Sequence, residues 1–292
     1  MAGRPTLTLA LPVHGVPFAT TLAAARAAEA GGLDGVWVPD HLLNVERPDA
    51  GVLECWTALA AVAAATTRVM VGPLVVTTPF RHPPLLAKQA ATLDAIASGR
   101  VILGLGAGGF TYDVACAQFG YVPLAPGARV RHVADTIACL RRMWTEDGPL
   151  HPRPARAIPI VVAAHRARMM AVVARAADGW NCPLPELLEP GLRALAAHGR
   201  ARDTIGVSVY TVAVLGPTEE AARAALVRAG RPAQMFGDVE RHHVFGAPGR
   251  AAAKLAELVR RGADHVVLDV RGLPVPEAVD LLAREVVPLL EA

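Results

Sequence analysis

The sequence predicts an α/β fold, a (β/α)8 TIM barrel made by one domain spanning residues 1–292. Short β-branched runs alternate with Ala-rich helical stretches along the whole chain, which argues for a parallel sheet with right-handed crossovers. Eight such runs can be read, the number that closes a barrel. The rival is an open doubly wound sheet, which would carry a GxGxxG turn after its first strand. Here the first strand instead runs into Leu11-Pro12-Val13-His14-Gly15.

In chain order the expected strands are Thr6–Leu11, Val36–Asp40, Val69–Val76, Val101–Leu105, Ile158–Ala163, Gly179–Cys182, Ile205–Leu215 and His265–Val270. The clearest helices are Thr20–Ala30, Trp56–Ala65, Pro84–Ala97, Arg168–Ala177 and Lys254–Arg261. Each ends in a turn such as Gly31-Gly32-Leu33-Asp34, Ser98-Gly99-Arg100 or Gly262-Ala263-Asp264. Glycine there supplies the left-handed conformation that stops a helix, and the following β-branched run suits a strand buried on both faces. Gly148–Pro159 and Gly230–Gly249 are the least regular stretches. The second is read as a loop beside the site.

Composition narrows the function classes. Hydrophobic residues are 53% of the chain and charged residues 19%, enough apolar material for a large core. A net charge of +3 on scattered Lys and Arg gives no nucleic-acid groove. Cys55, Cys116, Cys139 and Cys182 form no CxxC pair or zinc spacing and read as reduced, buried thiols. No HExxH spacing is present, so no metal is expected. The absence of a GxSxG elbow argues against a hydrolase of the α/β class. With no signal-peptide layout and no apolar run near the ~20 residues of a membrane span, a soluble cytoplasmic protein is expected.

Barrels of this kind place chemistry where strands end. His14 follows the first strand and is read as lining the pocket. The second ends in Asp40-His41, an imidazole suited to acid–base or hydrogen-bonding work, with Asp40 orienting it or bracing the backbone. After the third come Thr77 and Thr78, either of which could reach a ring carbonyl, then Arg81 and His82, read as bracing the loop before Pro83-Pro84. The fourth ends in Gly104-Leu105-Gly106-Ala107-Gly108-Gly109, where missing Cβ atoms would let a planar ligand approach the backbone. Tyr112 and Asp113 follow as candidate proton donors, or as the start of a helix. The fifth ends in Ala163-Ala164-His165-Arg166 at a helix start, an arrangement that suits an anion or a solvated basic turn. His198, His242 and His243 are read as surface residues.

Taken together, the segments Gly32–His41, Thr66–Gly108, Ala128–Trp144, Ile158–Trp180 and Gly246–Leu268 resemble the bacterial luciferase-like family of flavin- and deazaflavin-dependent oxidoreductases over nearly the full length. The resemblance implies a homodimeric barrel with a coenzyme lying across the strand ends. It implies a non-proline cis peptide backing the ring near Leu74-Val75, with Thr77 and the stretch Gly106, Ala107 and Gly108 beside it. The coenzyme phosphate would sit on backbone amides at Ala163, Ala164, His165 and Arg166, and His41 would lie near the reacting ring with Asp40 setting its orientation. Two departures stand out. Gly109 occupies the place where some members carry a Glu proton donor, the comparable stretch here being Phe110-Thr111-Tyr112-Asp113. His165-Arg166 replaces a usual Gly-Gly, so the mechanism of a sugar-phosphate-oxidising member is not carried over. The function implied is hydride transfer between the deazaflavin coenzyme F420 and a small organic substrate. The alternatives are an FMN-dependent monooxygenase and a non-catalytic flavin-binding barrel. The compact length favours the first, because the FMN monooxygenases of the family are often longer.

Overall fold

The structure, a computed structural model, describes residues 4–44, 47, 49–109, 111–234 and 236–291; Phe110 lies outside them. Its strands are β1 (Thr6–Ala10), β2 (Gly35–Val38), β3 (Met70–Pro73), β4 (Val76–Thr77), β5 (Leu103–Gly106), β6 (Ile160–Ala163), β7 (Gly179–Cys182), β8 (Gly206–Leu215), β9 (Val244–Gly246) and β10 (His265–Val270). They pair in the order β3-β2-β1-β10-β8-β7-β6-β5-β4, all parallel, with β9 branching off β8. The two ends of that order are consecutive in sequence. A parallel bridge from Val71 in β3 to Val101, just before β5, links that end to the neighbour of β4, so nine strands form a nearly closed barrel with eight staves.

Two expectations change. The run Val69–Val76 is not one strand but β3 and β4, interrupted at a cis Leu74–Val75 peptide. The stretch Gly230–Gly249 is not a plain loop. It holds the end of helix Glu219–Gln234, which breaks at Gly230 (φ 59°), then a short helix Val239–His242 and β9. The strand escaped notice because it is three residues long and extends the last part of the ten-residue β8.

Parity along each strand sorts the side chains. Leu7, Leu9, Val36, Val38, Leu103, Leu105, Val162, Val207 and Leu268 point outward into one continuous apolar cluster with the helices. Burying each such side chain is worth roughly 1.5–3 kcal/mol. The alternate residues face the interior, and these are small or polar. Trp37 Nε1 donates to Thr8 Oγ1 at 2.9 Å, His265 Nε2 lies 2.6 Å from the same hydroxyl, and Asn181 Nδ2 donates to Ser208 Oγ at 2.9 Å. The indole of Trp37 stacks on His265 with centroids 6.0 Å apart. These groups make the interior a hydrogen-bonded plug in which buried polar side chains pair with one another.

Closure needs glycine. A Cβ on Gly72 would stand 1.9 Å from the Ile102 carbonyl oxygen and 3.1 Å from the Trp37 ring. Gly72→Ala is therefore expected to lower the unfolding free energy by about 1–3 kcal/mol. Gly51→Ala, which meets nothing within 4 Å, should leave it nearly unchanged; urea titration of both variants checks this.

Candidate active site

Because every barrel strand runs the same way, the residues after their C-terminal ends share one mouth. His14, His41, Gly108 and His165 follow strand ends there, and Thr77 is the last residue of β4. A cavity of about 680 Å³ opens at the ends of β5 and β6, within the range of coenzyme sites. Ala107 and Gly108 form one wall, and Ala163, Ala164, His165 and Arg166 another. Arg129, from helix Pro126–Met143, and Arg168, from helix Ala167–Ala176, complete a basic rim, with no carboxylate among the described residues that line it. Helix Ala167–Ala176 carries no side-chain cap at its N-terminus, so its first amides and its dipole face the cavity unmasked. Arg166 and Arg168 are exposed. Partial burial, with the charge of Arg166, lowers the pKa of His165, so the positive charge here comes from the arginines.

The cavity walls are held firmly. Ala164 donates its N–H to the Asn181 carbonyl at 3.2 Å and accepts from Trp180 Nε1 at 2.9 Å. Arg129 reaches the Gly108 carbonyl at 3.3 Å and lies 4.6 Å over the Tyr112 ring, while its Nε is buried with no partner among the described residues. Gly108 has φ 85°, and a Cβ there would stand 2.8 Å from Tyr112 Cδ2. Gly106 departs from expectation. Its missing Cβ makes room for Val75 Cγ2, 2.5 Å from where a Cβ would be, rather than for a ligand.

Asp40 also departs. Its carboxylate does not orient His41. It accepts from Arg81 Nη2 at 2.6 Å and from the Thr77 N–H at 3.1 Å. The reason is position: Asp40 is fully buried against β4, where an amide and a guanidinium both point at it. Burial raises its pKa, opposed by the Arg81 charge and the Thr77 amide. Arg81 also reaches Glu54 at 3.1 Å, and Glu54 caps helix Cys55–Ala64 through the Thr57 N–H. This is the bracing role expected of Arg81. The Thr77 hydroxyl turns to the Asp40 carbonyl at 3.4 Å, and that of Thr78 to Gly106 at 3.1 Å.

The partner of His41 is His14, Nδ1 to Nε2 at 2.8 Å, with the rings tilted by 52° and centroids 5.0 Å apart. Burial lowers His41. Burial, then the charges of His41, Arg271 and Arg47, lower His14 to about 4. Neither ring lines the basic cavity.

Several residues were not singled out from the sequence. Tyr210 donates to Asp269 Oδ2 at 2.6 Å, and Arg271 Nη2 to the same oxygen at 2.7 Å, at the end of β10. The strand-end rule that found Asp40-His41 applies equally to Asp269-Val270-Arg271. His243 is fully buried rather than on the surface. Its Nδ1 accepts from the Val212 N–H at 3.2 Å and its Nε2 faces the Phe236 carbonyl at 3.0 Å. Tyr112 is buried against Phe80, and its hydroxyl accepts from the Leu124 N–H. Asp113 is exposed in the first turn of helix Tyr112–Phe119. Among the described residues no trio of His, Cys, Asp or Glu is grouped to hold a metal, and all four cysteines are buried and free.

Fold and cavity together define a parallel barrel with a cavity rimmed by basic residues at its C-terminal mouth. The profile of luciferase-like monooxygenases matches residues 5–266, and the chain belongs to that family. Among relatives, the F420-dependent glucose-6-phosphate dehydrogenase of Intrasporangium calvum is 27% identical over 89% of this chain and 91% of that protein. The F420-dependent hydroxymycolic acid dehydrogenase of Mycobacterium tuberculosis is 30% identical over 70% of this chain and 61% of its own length. The fold matches a solved F420-dependent secondary alcohol dehydrogenase in complex with an F420-acetone adduct, with a TM-score of 0.80 at 17% identity over 99% of this chain and 100% of the other. A monooxygenase from Streptomyces bottropensis gives a TM-score of 0.79 at 21% identity over 97% of this chain and 99% of the other.

Arg81→Ala leaves the Asp40 carboxylate buried and unpaired, a loss expected at about 3–5 kcal/mol near neutral pH. The sign of its pH dependence follows from the raised pKa. Protonating Asp40 removes the stranded charge, so the deficit against the unsubstituted protein should shrink as pH falls. Denaturant unfolding of both proteins at two pH values measures it.

Proposed function

We propose that this protein is an oxidoreductase that binds coenzyme F420 and moves a hydride between it and a small organic substrate. The observation that carries the reading is the cavity rim. Arg129, Arg166, Arg168 and His165, with the first amides of helix Ala167–Ala176, surround a space that no carboxylate of the described residues lines. Such a rim suits a phosphate followed by an acidic tail, which F420 has and FMN lacks. The F420-dependent relatives support the same choice. Arg129 Nε, buried and unpaired, is a donor that an anion would satisfy.

When bound, the coenzyme supplies a two-electron hydride acceptor or donor at its C5. The chain does the rest. Ala163, Ala164, His165 and Arg166 hold the phosphate. Leu74 and Val75 back the ring, and Ala107 and Gly108 flank it. His41 stands by the ring and substrate and moves the substrate's hydroxyl proton through an imidazole nitrogen. Asp40 and Thr77 keep the strand ends in register. Gly109 leaves no carboxylate where some members have a proton donor. No helix among the described residues is long and apolar enough to cross a membrane. We take the working form to be a single-domain homodimer in the cytoplasm, with a small molecule and no nucleic acid as its partner.

Fluorescence titration tests the coenzyme. F420 should bind more tightly than FMN, and more weakly as salt screens the rim. Replacing Arg166 and Arg168 together by Glu should weaken F420 by at least an order of magnitude, since charge-assisted hydrogen bonds contribute about 1.5–3 kcal/mol each. Micromolar FMN binding without F420 binding would point to the monooxygenase. For the imidazole, His41→Ala should cut turnover by on the order of 100-fold or more, with little change in the thermal midpoint. Normal turnover per folded molecule would remove His41 from the chemistry.

A further inference from the structure

The basic rim occupies one arc of the mouth, at the ends of β5 and β6. A second group of charges stands on another arc, above β1, β2 and β10, with β7 and β8 between β10 and β6. Strand parity turns it inward. Val266, Leu268 and Val270 of β10 join the outer core, so Asp269 and Arg271 face the interior. Leu9, Leu11 and Val13 also point outward, so His14 faces in beside them. The two elements are neighbours, Leu9 lying opposite Leu268, and the Arg271 N–H still pairs with the Ala213 carbonyl at 2.9 Å.

Two guanidinium groups meet there. Arg271 Nη2 donates to Asp269 Oδ2 at 2.7 Å, and Tyr210 donates to the same oxygen at 2.6 Å. The Asp269 side chain is 9% exposed and that of Arg271 36%, so the acid anchors the guanidinium without enclosing it. Arg271 Nε is buried with no partner among the described residues. Arg47, from the loop after β2, lays its guanidinium over Gly15, where a Cβ would stand 2.6 Å from Nη2. Arg47 is exposed, and its side chain has no ion-pair partner among the described residues. Both charges reach His14: burial, then His41, Arg271 and Arg47, lower its pKa to about 4. Asp40, at the end of β2, is engaged by Arg81. Two cations against the single carboxylate of Asp269 leave a surplus of one positive charge beside the imidazoles. Such a surplus attracts an anion, and a single charge matches a carboxylate better than a phosphate dianion.

We infer that Arg271 and Arg47 bind the carboxylate of the substrate, which makes the substrate class a hydroxycarboxylic acid and the product its oxo acid. This rests on the oxidoreductase reading above. His14 lies 2.8 Å from His41, so a carboxylate held beside His14 brings a nearby carbinol to the His41 imidazole. Oxidation breaks the carbinol C–H, whose hydrogen leaves with its electron pair to the coenzyme, and the O–H, whose proton goes to His41. A C=O bond forms, and the carboxylate stays bound and unchanged.

Binding is read first without coenzyme. Arginine Nε–H resonances of isotope-labelled protein, assigned through Arg271→Lys and Arg47→Lys, are followed on adding lactate or β-hydroxybutyrate. The uncharged diols made by reducing those two acids serve as controls of matching carbon skeleton. The acids should shift the Arg271 signal saturably and the diols should not, and salt should weaken the acids alone. Arg47→Ser and Arg271→Gln should each raise the Kd of the acids by about tenfold or more, the worth of one charge-assisted hydrogen bond. Arg47 is exposed, so its variant keeps the test open if Arg271→Gln, which strands Asp269, does not fold. With F420 present, the same variants should raise KM for the acid by a similar factor and leave KM for F420 unchanged. Diols that bind as well as the acids overturn the inference, as does unchanged acid binding in both variants. Tighter binding of α-glycerophosphate than of either acid would overturn the carboxylate. Failure to bind F420 would instead overturn the reading of the coenzyme, while the arginine resonances still decide this one.

Discussion

The barrel exists because three backbone segments can touch where it closes. Gly72, Gly104 and Gly106 lie along the seam between β3, β4 and β5. A Cβ on them would stand 1.9 Å from the Ile102 oxygen, 2.3 Å from the Pro73 oxygen and 2.5 Å from Val75 Cγ2, respectively. No rotamer change relieves the two clashes with backbone oxygen. These residues are in strand segments, where glycine ordinarily weakens the structure, so their presence reports a steric need. The seam also sets the site. It places Asp40 and Thr77 on one side and delivers Ala107 and Gly108 to the cavity on the other.

Around the mouth, charge is handled in two ways. Asp40, Arg81 and Glu54 form a network that ties the end of β2 to the turn after β4 and to a helix cap. Breaking it strands a buried charge, which is why such a network fixes geometry even when it adds little net stability. At the ends of β5 and β6 the arginines line a cavity whose described lining holds no carboxylate. The first arrangement holds the strand ends in place, and the second is available to a ligand.

Much of this was legible from residue order alone. Alternating apolar runs gave the eight staves, because a strand buried on both faces needs little context to declare itself. That Ala163–Arg166 end a strand and lead into a basic helix start was legible because those features are adjacent in sequence. The family resemblance carried the cis peptide at Leu74–Val75. What escaped depends on contacts distant in sequence. Asp40 finds Arg81 forty-one positions away and His243 finds Val212 thirty-one away, so neither the redirected carboxylate nor the buried imidazole shows in a local pattern. Gly106 was credited with room for a ligand because the chain order does not reveal that Val75 fills that room.

The two bonds on Ala164 have a thermodynamic consequence. Its amide hydrogen goes to Asn181 and its oxygen takes the Trp180 indole, and that indole is wholly buried. Any swing of the cradle would have to break both together. The segment at the end of β6 is therefore held in one shape by the fold itself. Its conformational entropy is lost when the chain folds rather than when the ligand docks, so association costs little beyond immobilising the ligand itself.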